Sequence, residues 1–138
     1  MTTNEANRRV LFFVGDSYED MELWYPLYRL QEAGFETVVA GEARGRYAGK
    51  HGYPSEADAL IDEMHEPDFA ALIIPGGFMP DKLRRNPKVL QLTRDFDAAG
   101  KLIGMICHAG WIPVSAGILR GRTCTSTPGI KEIGRASC

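Results

Sequence analysis

Cys107 is followed directly by His108, between an apolar run, KLIGMI (101–106), and the small pair Ala109-Gly110. A thiol in this setting has two readings. Free cysteine is among the most buried residue types and often only packs. A sharp strand-to-helix turn is also where a nucleophile elbow exposes its reactive atom. The positive end of a following helix then favours the thiolate, which is the nucleophilic form. The local pattern alone leaves both readings open.

A base for that thiol must come from three histidines, His51, His65 and His108. Serine-type α/β-hydrolases and glutamine amidotransferases place the catalytic histidine well downstream of the nucleophile, and no histidine follows position 108. Either the base is missing or it is His108, which then has to reach round its own backbone. His65 (EMHEP) reads as a surface residue. His51, in the glycine-rich GKHGY, can reach a site edge. Glu19 reads either as an acid that favours a helix first turn or, if buried near Cys107, as a carboxyl able to donate a hydrogen bond to the thiolate. Gly76-Gly77 reads either as a tight turn or as an oxyanion hole formed with the amide of His108.

Positioning these residues requires strands that end at one edge. RVLFFV (9–14) is apolar throughout, as suits a parallel strand covered on both faces. TVVA (37–40), AALII (70–74) and LIGMI (102–106) read as further strands. Pro26 suits the first turn of a helix, which predicts a short turn over 19–24, then a helix to about Ala33 stopped by Gly34. Residues 41–57 predict a loop or exposed hairpin, and 58–64 are ambiguous with a short strand. Asn86-Pro87 reads as a cap and first helical residue. Val89, Leu92, Thr93, Phe96 and Ala99 keep helical spacing from there to Gly100. A last helix runs from about Gly110 to Ala116. Alternating strands and helices predict a doubly wound parallel α/β sheet, and such sheets bind ligands beyond the carboxyl ends of their strands.

Composition narrows the function classes. The chain has 138 residues, which fits one domain over 1–138. Net charge is −2, with no basic stripe, which argues against nucleic acid as a main partner. The densest basic cluster, Lys82, Arg84 and Arg85, reads as a solvated helix face. No run reaches the ~20 apolar residues of a membrane span, and the N-terminus lacks a signal-peptide pattern. The expected location is the cytoplasm. Three widely spaced cysteines, Cys107, Cys124 and Cys138, suggest free thiols, Cys124 as a strand residue and Cys138 without function. No CxxC or HxxxH spacing supports a metal.

The segments YEDMELWYP (18–26), RGRYAGKHGY (44–53), IIPGGFMPDKLR (73–84), MICHAG (105–110), SAGILRGR (115–122) and TSTPGIK (125–131) resemble the ThiJ/PfpI family in its PfpI-type branch. The resemblance implies a flavodoxin-like sandwich with a nucleophile elbow after a central strand and no cofactor. It implies Cys107 as nucleophile and Glu19 as the carboxyl at its sulfur. His108 is the implied base, oriented by an acid from a neighbouring subunit that maps onto Asp81, so that a homo-oligomer completes the site. The implied activities are deglycase, glyoxalase or intracellular peptidase, on small carbonyl compounds, glycated proteins or peptides. A redox sensor or chaperone using the same cysteine is the non-enzymatic alternative. Two departures stand out. Thr127 occupies the place of the family's usual Tyr, and the chain leaves the family pattern at Glu132-Ile133, which implies a C-terminally shortened domain.

Overall fold

The computed structural model describes residues 1–131. A one-turn helix, α1 (Thr3–Ala6), closed by a Thr2–Glu5 capping box, precedes β1 (Arg9–Phe13). There follow α2 (Asp20–Glu32), β2 (Glu36–Gly41), β3 (Gly45–Ala48), β4 (Pro54–Ala57), β5 (Ala59–Leu60), β6 (Ala71–Ile74), α3 (Met79–Leu83), α4 (Pro87–Ala98), β7 (Leu102–Met105) and α5 (Trp111–Ala116). Five strands form a parallel sheet in the order β5-β2-β1-β6-β7, and β3 and β4 form a separate antiparallel hairpin. The chain winds one way from β1 to β2 and the other way from β6 to β7. Right-handed crossovers therefore lay helices on both faces, and the reversal point falls between β1 and β6.

The core follows from that covering. Val10, Leu11, Phe12 and Phe13 are all buried, as a strand with no solvent face must be. On α4, Val89, Leu92 and Phe96 repeat at helical spacing and are fully buried. Asn86 caps this helix by accepting from the Lys88 N–H at 2.9 Å, and Pro87 takes the position where a missing N–H costs nothing.

Three sequence expectations change. Pro26 lies inside one continuous helix instead of starting it. Its absent N–H forfeits a bond to the Glu22 carbonyl, but Leu23 before it and Leu27 after it are both buried, so packing on either side outweighs the break. β7, which the sequence reading places centrally, is at the sheet edge among the described residues, and its Leu102 is exposed. Cys124 is exposed and belongs to no strand. The loop-or-hairpin segment is the β3–β4 hairpin, and 58–64 holds the short β5 followed by a turn of 3-10 helix. Cys138 lies outside the described residues. No helix among the described residues is long and apolar enough to cross a membrane.

Candidate active site

β1, β6 and β7 all point their carboxyl ends to one edge of the sheet, and the chemistry gathers there. After β7 the chain turns at Cys107, whose φ of 59° is the left-handed region that a residue with a Cβ seldom enters. Such a position is held only when its surroundings enforce it. Here the amide of Ala109 bonds to the Ile106 carbonyl at 2.9 Å, and residues 107–110 form a 3-10 turn leading into α5. The bend lifts the sulfur off the strand axis. It also answers the adjacency question, because Cys107 Sγ lies 3.1 Å from His108 Nδ1.

The carboxyl group at this cysteine belongs to Glu22, not to Glu19. Glu22 Oε2 accepts the Gly76 N–H at 2.7 Å, which sets the carboxyl beside Cys107, since both would crowd a Cβ on Gly76. Gly76 has to be glycine. An added Cβ would lie 2.4 Å from Glu22 Oε2 and 2.8 Å from the Cys107 Cβ. Burial pushes the Glu22 carboxyl above the ordinary carboxylate range, and nearby Glu19 adds to the rise. The Gly76 N–H, Cys107 and His108 oppose it only in part. A carboxyl raised in this way keeps its proton to higher pH than an exposed one does.

Glu19 is engaged elsewhere. Its Oε1 lies 3.1 Å from His51 Nε2 and its Oε2 3.5 Å from Lys50 Nζ, both on the tip of the β3–β4 hairpin. The site-edge reading of His51 therefore leads to Glu19. The Gly76-Gly77 oxyanion pair also changes, since the Gly76 N–H is committed to Glu22. Gly77, at φ 81°, packs so closely on the loop after β1 that a Cβ would lie 2.4 Å from the Ser17 carbonyl. Asp81, on α3, is half exposed and faces Arg85 at 3.3 Å and Arg84 at 4.0 Å, just past the end of its helix. No contact joins Asp81 to His108 among the described residues. The Thr127 N–H reaches the Cys107 carbonyl at 3.4 Å, and a Cβ on Gly129 would lie 3.7 Å from His108 Nε2, so the segment after α5 closes over the elbow.

The DJ-1/PfpI family model matches residues 8–135. The chain belongs to the DJ-1/PfpI family. It is 44% identical over 124 residues to a deglycase of Pyrococcus horikoshii, covering 90% of this chain and 75% of that protein. It is 34% identical over 122 residues to protein/nucleic acid deglycase 2 of Escherichia coli, covering 87% of this chain and 71% of that one. A solved two-domain protein of Anabaena variabilis, with DJ-1/ThiJ/PfpI-like and ferritin-like domains, superposes with a TM-score of 0.92 at 32% identity. That match covers 94% of this chain and 38% of the other. The family's flavodoxin-like fold is the fold described above.

Two residues that matter here escape the sequence reading. Glu22 does so because a helix starting at Pro26 leaves residue 22 in a turn, whereas a helix starting at Asp20 puts it in the first helical turn. Asp20 does so because an acid in a helix first turn reads as a dipole partner. It is buried, and its oxygens accept the N–H groups of His51 and Tyr53, both at 2.9 Å. Glu19, Asp20 and His51 bring three donor atoms within 4.8 Å of one another, which is a loose metal-like grouping. The hydrogen bonds and ion pairs just described account for all three.

Proposed function

We propose that this protein is a cofactor-free, cysteine-dependent enzyme acting on reactive carbonyls, either methylglyoxal or the early adducts that it forms on proteins. The observation that carries the reading is the Cys107 sulfur, lifted onto a left-handed elbow, with His108 Nδ1 at 3.1 Å and the Glu22 carboxyl held beside it by the Gly76 N–H. The names of the deglycase relatives support the same substrate class.

In this reading the thiolate adds to the aldehyde carbon, forming an S–C bond, and the carbonyl oxygen takes up a proton supplied by Glu22. His108 then moves a proton from C1 to C2 while the proton of the C1 hydroxyl passes to the C2 oxygen, which turns the hemithioacetal into a thioester. Water hydrolyses the thioester, releasing lactate and restoring the thiol. With a protein adduct as substrate, the amine leaves when the sulfur takes its place on the carbon. The Gly77 and His108 amides are the donors we assign to the developing oxyanion. A groove of about 480 Å³ beside Glu22, lined by Met21, Tyr25, Ile74, Met105 and Ile106, offers an apolar wall for the substrate's carbon skeleton. We assign Asp81 to the His108 of a second copy in a homo-oligomer, and place the protein in the cytoplasm as a stress-protective enzyme built on one domain.

Incubation with methylglyoxal and an assay for D- and L-lactate tests this. Lactate is expected from the wild type and from Cys124→Ser, and none from Cys107→Ala. No lactate from folded, reduced wild-type protein, or equal turnover by Cys107→Ala, overturns the reading.

A further inference from the structure

Asp20 does not cap its own helix with its side chain. The N-cap position is Glu19, which makes no side-chain cap bond. The Asp20 oxygens reach instead across 31 and 33 residues of sequence to the N–H groups of His51 and Tyr53. The hairpin tip is shaped around this carboxylate. Gly49 has no room for a side chain, since a Cβ would lie 2.3 Å from Asp20 Oδ1. Gly52 turns back at φ 89°, and its N–H bonds the Gly49 carbonyl at 2.9 Å. A second anchor lies beside the first. The Lys50 N–H donates to the Tyr18 carbonyl at 2.7 Å, the Tyr18 hydroxyl donates to the Tyr53 carbonyl, and Trp24 Nε1 donates to that hydroxyl at 3.2 Å.

The tip so fixed points two side chains at one acid. Lys50 and His51 both meet Glu19, and Lys50 also lies 5.5 Å from the centre of the Phe78 ring, next to Gly77. Glu19 in turn acts electrostatically on Glu22, which sits with Cys107 around Gly76. The groups facing Glu19 are thus Lys50 and His51 from the hairpin. Those facing Glu22 are Glu19 from its own helix, the Gly76 N–H from the turn after β6, and Cys107 and His108 from the elbow.

We propose that Asp20 is a positioning residue for the cysteine site: its carboxylate holds the hairpin tip in the arrangement that presses Lys50 and His51 onto Glu19, and so keeps a positive charge and a donor beside the acids around Cys107. Release of the tip leaves Glu19 unbalanced and the surroundings of the sulfur more negative, which slows formation of the thiolate. The proposal rests on the reading of Cys107 as the reactive group, but its test needs no carbonyl substrate.

The test is the rate of iodoacetamide alkylation of the Cys107 peptide, followed by mass spectrometry across a pH series on the full chain. In Asp20→Glu, which keeps the negative charge but moves the carboxylate off the His51 and Tyr53 N–H groups, the rate near neutral pH is expected to fall about threefold and the pH–rate profile to move up by about half a unit, the size of effect one nearby charge exerts at a partly exposed site. Lys50→Met combined with His51→Gln, which leaves Asp20 and its backbone bonds in place, is expected to give a shift of the same sign. Adding Asp20→Glu to that pair is expected to add little. An Asp20→Glu protein with a lower melting temperature and an unmoved profile overturns the proposal, as does full additivity of the two changes. A moved profile in a protein whose wild type makes no lactate supports the positioning role and counts against the function proposed above.

Discussion

Asp20 and Glu22 are two residues apart on one helix, both withdrawn from water, and their carboxyl groups are shifted in opposite directions. Burial pushes the Asp20 carboxyl up, but the N–H groups of His51, Tyr53 and its own backbone, with His51 nearby, reverse the shift and hold it below the ordinary range. Glu22 has one backbone N–H and a neighbouring acid, so the effect of burial wins and it is held above that range. The number of donors aimed at a carboxylate, and the sign of its neighbours, decide its charge more than its depth does. The hairpin region therefore favours the anion, and the elbow region favours a carboxyl that keeps its proton to higher pH than an exposed one does.

The comparison breaks most sharply at Gly76. Gly76→Ala drives a methyl group into both Glu22 and Cys107, and lactate formation from methylglyoxal is expected to fall at least a hundredfold with the fold retained by circular dichroism. On the hairpin side, Asp20→Ala leaves two backbone N–H groups without their acceptor. Urea unfolding is expected to show a loss of at least about 2 kcal/mol. The pH dependence separates the two acids. Asp20 is lowered in the fold, so its stabilisation is present above the ordinary carboxylate range and lost as pH falls through the lowered value. Glu22 is raised, so its contribution is present below that range and lost as pH rises through the raised value. Urea titrations across pH are expected to lose the acid-side decline in Asp20→Asn and the decline on rising pH in Glu22→Gln.

Much of the scaffold is legible in the residues themselves. RVLFFV marks a strand buried on both faces, Asn86-Pro87 marks a helix start, and Gly117, at φ 77°, closes α5. The Cys107-His108 pair is legible in part: its local pattern fits a buried thiol as well as an elbow, and the resemblance of the surrounding segments to the family is what points to the elbow. The partner acid is not. Glu19 and Glu22 differ only in where the helix begins, and local proline chemistry misplaces that point because the burial of Leu23 and Leu27 is a tertiary effect. The role of Asp20 is hidden for a related reason. Its partners lie 31 and 33 residues away, and no spacing rule reaches across a hairpin.

The smallest of the expected effects carries the most information when set beside its neighbour. Glu19→Ala and Glu22→Ala remove similar carboxyl groups one helical turn apart, one facing the hairpin and one facing the sulfur. The account predicts that the Cys107-dependent rate of lactate formation from methylglyoxal falls at least a hundredfold in Glu22→Ala and no more than about threefold in Glu19→Ala. Equal losses in the two variants, or the larger loss in Glu19→Ala, contradict it.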